Sequence, residues 1–140
     1  MKRTLLFTLT LLMLVMSLFI VSCVDKDGGG SGDMLYTEDT TLGKGNTTFT
    51  LIVEHINDKK VTFTINTDKT ILSDALVEVG ILEGHDSTYG LYIDAVNGVT
   101  HDFNTDKTYW AIYEGEAYAS TGIDGITIVN DATYKLVASK

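Results

Sequence analysis

The chain has 140 residues, a single Cys, no Pro and a formal net charge of −9. This length suits one modest domain, and a lone Cys excludes an intrachain disulfide framework. The acidic balance argues against nucleic acid and anionic lipid surfaces as partners, because both carry negative charge themselves.

The beginning of the chain has the pattern of an export signal. Two basic residues precede an apolar run over residues 5–21, and charge returns directly after Cys23. We predict a signal peptide over residues 1–22. The stretch Ile20–Cys23 resembles a bacterial lipobox, which implies lipidation of Cys23 and an extracytoplasmic protein held at the cell membrane by a lipid anchor. The alternative is an uncleaved anchor, because about 20 apolar residues can span a bilayer.

Residues 23–45 are polar and include the run Gly-Gly-Gly-Ser-Gly over residues 28–32. Such a composition buries nothing and fixes no backbone dihedral. We predict a flexible linker over residues 23–45 that holds a single domain, residues 46–140, away from the membrane. With Cys23 used as the anchor, no thiol remains to act as a nucleophile.

Two alternating runs at the start of the domain predict a β-hairpin. Phe49, Leu51 and Val53 lie on one face of the first run, and residues 61–66 repeat the alternation. The residues Asn57–Lys59 between them are typical of a turn. The many Thr and Val residues support strands, because branched side chains suit a pleated surface.

A helix is predicted after the hairpin. Apolar residues recur at spacings of three and four from residue 71 to residue 79, and Gly80 is placed to end the helix. Residues 67–70 are of the types that cap helices. We expect Leu72, Ala75, Leu76 and Val79 to be buried against the hairpin.

Three further strands complete the predicted fold. Alternation over residues 91–95 ends at the turn Asn97–Gly98, a pair favoured in tight hairpins, and strands are expected at Thr108–Tyr113 and Thr133–Val137. The order of elements predicts one α+β domain, in which a mixed sheet carries one packed helix.

Motifs for catalysis and metal binding are incomplete. Asp102, Asn104 and Asp106 have the spacing that begins a calcium loop, but Lys107 stands where Gly is needed and Tyr113 where Glu is needed. No Gly-x-Ser-x-Gly elbow is present. We predict no catalytic residue and no metal site, and a binding protein rather than an enzyme.

The three histidines are far apart in sequence and lack the spacing of zinc ligands. His55 and His101 are expected at the surface or at strand ends. His85 lies next to acidic residues in a predicted Gly-containing loop, so it is the histidine best placed to meet a ligand.

Aromatic residues are concentrated between Thr108 and Leu136, a segment that contains the only Trp. The candidate ligand-binding residues there are Trp110, Tyr113, Glu114, Gly115, Glu116 and Tyr118. Tyr offers a flat apolar face and a hydroxyl at low entropic cost, which suits a planar or amphipathic ligand. Trp110 has a second interpretation as a core residue, because Trp is highly buried on average.

Several segments together resemble the transcobalamin C-terminal-like domain family (DUF4430). They are Thr70–Leu76, Tyr89–Ile93, Val96–Val99, Tyr109–Trp110, Gly122–Ile123 and Tyr134. The resemblance covers Thr47 to Ala138. It implies a β-grasp-like domain of the kind grouped with soluble-ligand-binding modules. In transcobalamin and intrinsic factor the related domain closes over one face of cobalamin, while a separate helical barrel holds the other face.

Carried over by position, the resemblance implies that the strand at Tyr109–Trp110 and the loop Tyr113–Ser120 face a corrinoid. This chain differs from many relatives in two places. Glu114-Gly115 replaces Asn-Gly and alters the proposed contact loop, and residues 130–132 replace an Asp-Gly-Asp turn. The helical barrel has no counterpart here, so half of a bound cobalamin would be exposed.

The functional prediction is therefore a membrane-anchored lipoprotein that binds a soluble small molecule, with cobalamin or a related corrinoid as the first candidate and no covalent cofactor. The alternative is an interaction module that docks another protein, which would supply the missing half of the site.

Overall fold

The computed structural model describes Gly30 and residues 32–140. The predicted signal peptide and Cys23 lie outside these residues. Within the described part, no helix has both the length and the apolar character needed to cross a membrane.

The described residues form two sheets. The strands are β1 Thr40–Gly43, β2 Thr47–Glu54, β3 Lys60–Thr67, β4 Leu82–Ser87, β5 Gly90–Val96, β6 Val99–Thr100, β7 Tyr109–Glu114, β8 Ala117–Tyr118 and β9 Thr133–Ser139. A six-stranded sheet has the order β1-β3-β2-β9-β7-β8, and a three-stranded sheet has the order β4-β5-β6. The pairs β1–β3 and β2–β9 are parallel and the other pairs are antiparallel. The predicted α+β class with a mixed sheet is confirmed.

The helical elements are α1 Leu72–Glu78, the one-turn helix α2 Phe103–Asp106 and a 3-10 turn at Ile123–Gly125. Helix α1 packs onto the same core as the β2–β3 hairpin. Leu72, Ala75 and Leu76 are fully buried as predicted, whereas Val79 just beyond the helix is only half-buried. Gly80 follows in the left-handed conformation with φ 74, which a Gly adopts at little cost.

The predicted hairpin is confirmed. Phe49, Leu51 and Val53 of β2 are buried, and β3 buries its own apolar set at alternate positions. Burial on one face fixes the register, because a slip of one residue would turn every apolar side chain to solvent.

The predicted cap of α1 is wrong. The N-cap is Ile71, which is extended and contributes no side-chain cap bond. The Leu72 amide instead donates to the Ile126 carbonyl at 3.0 Å, and Ile71 forms a β-bridge with Thr127. Asp68, one of the expected cap residues, accepts from the Asn46 amide at 2.9 Å. A tertiary contact therefore satisfies the helix end in place of a local side chain.

The predicted linker reached too far into the domain. β1 lies within residues 23–45 and pairs in parallel with β3. Before it, the Tyr36 ring packs edge-on against Phe63 with centroids 5.7 Å apart. The boundary at residue 46 was wrong because β1 is a short edge strand with no fully buried residue, so its sequence lacks strong apolar alternation.

The predicted loop around His85 is also wrong. His85 lies in β4, which pairs antiparallel with β5 across a bulge at Glu83 and Gly84. Only Leu82 of this strand is buried. Apolar alternation is therefore absent, and pairing with β5 is what makes the segment a strand.

Asn97 connects the N-terminal segment to the second sheet. Its side chain is fully buried, accepts from the Tyr36 amide at 2.9 Å and donates to the Tyr36 carbonyl at 2.8 Å. Its backbone has φ 51 in the turn before Gly98, a conformation that Asn tolerates better than most residues. One side chain thus satisfies both backbone groups of a residue 61 positions away.

We expect Asn97→Ala to lower the free energy of unfolding by about 2 kcal/mol, because it leaves the backbone groups of Tyr36 without their partner. Urea denaturation followed by circular dichroism measures this loss. Asn57→Ala is the matched control, since the Asn57 side chain is exposed and accepts only a local bond from Lys59. Equal losses for the two variants would contradict the assigned role of Asn97.

Candidate functional site

The predicted ligand loop is a short hairpin at the edge of the large sheet. We call residues Tyr113–Tyr118 the edge hairpin: the end of β7, a turn and β8. Gly115 has φ 63 in the turn, and its amide donates to the Thr133 carbonyl of the neighbouring strand at 2.8 Å. The turn is therefore held by the sheet and is not a mobile loop in this fold.

Two tyrosines face each other across the edge hairpin. The rings of Tyr113 and Tyr118 meet edge to face with centroids 5.3 Å apart. Tyr118 is 61% exposed, and Tyr113 is half-buried. Such a pair presents apolar ring surface and hydroxyl groups to solvent on a rigid support.

Charge surrounds this aromatic pair. The Lys135 ammonium donates to the Glu116 carboxylate at 2.7 Å, and this bond and charge lower the pKa of Glu116. Tyr113 is opposite Lys135 in the β7–β9 pairing, so Tyr113, Tyr118, Glu116 and Lys135 are brought together. Glu114 is exposed at the end of β7, but it is opposite Tyr134 and therefore lies on the other face of the sheet from Tyr113.

Trp110 is separate from this surface. It is 6% exposed, belongs to the core cluster, and its indole N–H donates to the Val99 carbonyl at 3.3 Å. The geometry favours the packing interpretation of Trp110 over ligand contact.

Two histidines pack against Trp110, an arrangement that the sequence analysis missed. His55 and His101 lie with ring centroids 5.6 Å and 4.8 Å from the indole, both near perpendicular to it. His55 is 8% and His101 is 2% exposed, so neither is at the surface. Each directly follows a strand, β2 or β6, which agrees with the expected strand-end positions. No local signal could have found this cluster, because the three residues are separated along the chain and meet only in the fold.

A chain of hydrogen bonds orients His101. The Thr108 hydroxyl donates to the Asp106 carboxylate and lies 2.7 Å from His101 Nδ1. Because Thr108 donates its hydroxyl proton to Asp106, its oxygen must act as the acceptor for the Nδ1–H of His101. His101 Nε2 then carries a lone pair. Among the described residues, Nε2 of both histidines is buried without a hydrogen-bond partner.

The remaining residues of the incomplete calcium motif have structural roles. Asp102 accepts from the Asn104 amide at 2.9 Å and from the Thr105 hydroxyl at 2.7 Å at the start of α2. These bonds lower the pKa of Asp102, and the bond from Thr108 lowers that of Asp106. Within residues 32–140, no three His, Cys, Asp or Glu side chains converge as a metal site.

No family model matches the chain, and no curated protein matches it by sequence. Solved structures share its fold. A candidate metal-binding protein from Ruminococcus gnavus ATCC 29149 is 23% identical, with a TM-score of 0.64 over 68% of this chain and 98% of that chain. Haptocorrin in complex with Cbi is 16% identical, with a TM-score of 0.57 over 67% of this chain. This chain spans 25% of the haptocorrin chain.

The buried histidines make stability depend on pH. Burial lowers the pKa of both below the usual 6.5, and for His55 the neighbouring His101 lowers it further. A lowered pKa in the folded state means that the unfolded chain binds protons more readily below pH 6.5, so acid favours unfolding. We expect the free energy of unfolding to fall by up to about 1.4 kcal/mol per pH unit for each histidine as the pH drops from 7 to 5.5.

Urea denaturation at several pH values measures this slope. The double variant His55→Gln/His101→Gln should have a flatter profile, whereas Asn57→Ala, an exposed substitution that removes no titratable group, should retain the parent slope. An unchanged slope in the double variant would show that other groups cause the pH dependence.

Proposed function

We propose that this protein is a lipid-anchored, extracytoplasmic binding protein without catalytic activity, and that its β-grasp-like domain takes a soluble ligand on the edge hairpin. A corrinoid is the first candidate ligand. The observation that carries the proposal is the Tyr113–Tyr118 ring pair at the edge of the large sheet, in which Tyr118 is exposed and Tyr113 is half-buried.

The chemistry of the edge hairpin suits a flat, amphipathic molecule. The exposed ring of Tyr118 offers apolar surface to a planar macrocycle, and its hydroxyl can bond polar groups at the rim. The exposed carboxylate of Glu116, which is beside the tyrosine pair, can accept hydrogen bonds from amide groups such as those around a corrin ring. The fold shared with haptocorrin, whose structure contains Cbi, supports the same ligand class.

The size of the domain limits how the ligand is held. Because this chain spans 25% of haptocorrin, a ligand on the edge hairpin alone would keep one face open to solvent. We infer that affinity is modest for the isolated chain, or that a second protein covers the open face. A second protein over the open face is the interaction-module alternative. The observation that favours it is that this chain spans 25% of the haptocorrin chain.

We expect cobinamide to bind the protein with a dissociation constant of tens of micromolar or below, and Tyr118→Ala and Tyr113→Ala each to weaken binding about fivefold through lost ring contact. Calorimetry together with the visible spectrum of the corrinoid measures this. Tyr89→Ala is the matched control, since Tyr89 is 95% exposed in the turn between β4 and β5, away from the edge hairpin.

Trp110→Ala separates packing from binding. Loss of this buried indole should cost about 3–5 kcal/mol of stability, whereas the two tyrosine variants should remain folded. The absence of heat and spectral change with cobinamide, combined with recovery of a protein partner, would replace the ligand proposal by the interaction module.

The proposed anchor has its own test. Cys23→Ser should move the protein from the membrane fraction to the soluble fraction of cells and abolish incorporation of a labelled fatty acid, because the thiol is the acceptor of the lipid. Retention of the variant in the membrane, with its apolar segment uncut, would support the uncleaved anchor instead.

A further inference from the structure

A short N-terminal segment covers the buried ring of His101. We call Gly30 together with residues 32–34 the strap. A Cβ placed on Gly30 would lie 2.7 Å from His101 Cε1 and 3.3 Å from its Nδ1 and Nε2, so the Gly30 backbone lies directly against the imidazole. Gly30 also has φ 150, which favours Gly. Because Gly30 is itself exposed, one layer of backbone separates this side of the ring from solvent.

The chain is fixed to the domain directly after the strap. The Leu35 amide donates to the Asn97 carbonyl at 3.0 Å, and the Asn97 side chain holds both backbone groups of Tyr36. The strap has no such bonds, because no hydrogen bond joins it to the other described residues. Packing against His101 and the Asn97–Gly98 turn is therefore what holds the strap in place.

The covered imidazole is suited to the neutral state. Its Nδ1 is bonded to Thr108, and within the described residues its Nε2 is buried without a hydrogen-bond partner. A proton on Nε2 would create a charged donor with no acceptor under the strap, and burying such a group is costly. His101 is 2% exposed, so water does not solvate this charge while the strap is in place.

Titratable groups on the surrounding segments act on His101 in both directions. Burial lowers its pKa and the Asp106 carboxylate raises it, and burial has the larger effect, so the pKa of His101 lies below the usual 6.5. The carboxylates of Asp94 and Asp102 are engaged in hydrogen bonds of their own. The other titratable or charged side chains of the strap, the β2–β3 turn and the loop 101–108 are those of Asp33, His55, Asp58, Lys59 and Lys107.

Displacement of the strap removes the main cause of the lowered pKa, because it admits water to Nε2. The form with the strap displaced therefore binds a proton at a pH closer to 6.5 than the covered form does. A form that binds protons more readily is favoured as the pH falls. The ratio of displaced to covered strap rises by up to about tenfold per pH unit below 6.5.

We propose that acid releases the strap from His101 while the domain stays folded. The first point at which the domain holds the chain then moves from Gly30 to Leu35. For a protein anchored at Cys23, this shift of five residues adds up to about 17 Å to the reach of the domain from the membrane. That consequence rests on the lipid anchor of the proposed function, whereas the release itself does not.

NMR relaxation of the ¹⁵N-labelled full chain in a nonionic detergent tests the release. We expect order parameters of about 0.85 for the Gly30 and Gly32 amides at pH 7.5 and below about 0.6 at pH 5. Gly30→Ala should free the Gly32 amide already at pH 7.5, because the new methyl group would overlap His101 Cε1. Gly80→Ala is the matched control, since Gly80 also has a positive φ but has nothing within 4 Å of an added Cβ.

Two further variants test the trigger. His101→Gln removes the site of protonation, so the order of the strap should no longer depend on pH. Asp106→Asn keeps an acceptor for the Thr108 hydroxyl but removes the charge that raises the pKa of His101, so release should require a lower pH. Asp74→Asn, exposed on α1, is its matched control and should leave the midpoint unchanged.

Three results would overturn the proposal: a flexible strap at pH 7.5, an acid response that persists in His101→Gln, or a midpoint that Asp106→Asn does not lower. Circular dichroism at pH 5 establishes that the domain is folded, and unfolding in step with the strap would also overturn it. If the strap of His101→Gln is already flexible at pH 7.5, the Asp106→Asn midpoint decides the question. Failure of the lipid anchor appears only in the fractionation of Cys23→Ser and leaves these measurements unaffected.

Discussion

The fold depends on the parallel pairing of β2 with β9, which connects the first hairpin of the domain to its last strand. Leu51 is opposite Tyr134 in this pairing, and Val53 is opposite Leu136. All four are buried, and each such side chain removed from water contributes about 1.5–3 kcal/mol. The chain between the two strands forms α1 and the small sheet, and it must then bring β9 back beside β2.

The same pairing positions the edge hairpin. β9 pairs on its other side with β7, and β7 ends in the edge hairpin. The chain between β2 and β9 also carries α1 and the β4–β5 hairpin. The edge hairpin does not interrupt the core, and its polar groups remain near water, where their desolvation is cheap.

The two histidines that pack against Trp110 make the stability of the core depend on their protonation. Two imidazoles with buried, unpartnered nitrogens stabilise the fold only while they are neutral. His101 is oriented by its bond to Thr108, which itself donates to Asp106, so a hydrogen-bonded loop and the central indole together fix the position of the ring. This arrangement ties the loop after β6 to the large sheet. It also makes acid a specific stress on this domain.

Sequence alone determined the elements whose signal is local. Alternation identified β2, β3 and β5, the spacing of three and four identified α1, and Asn97–Gly98 identified the turn that the structure confirms. The proximity of Tyr113 and Tyr118 is also local, because β7 and β8 pair across a short turn. In each case the information lies within a few residues, since the period of a strand or helix is set by its own backbone.

Only the tertiary structure decided the rest. β1 and β4 are strands because a partner strand lies beside them, and their own side chains carry almost no apolar pattern. The start of α1 is satisfied by Ile126, which is far along the chain, and so local cap residues gave the wrong prediction. The contacts of Trp110 with His55 and His101 exist because distant segments are packed together. Contacts between distant segments leave no periodic pattern in the sequence, because they form only when the folded chain packs.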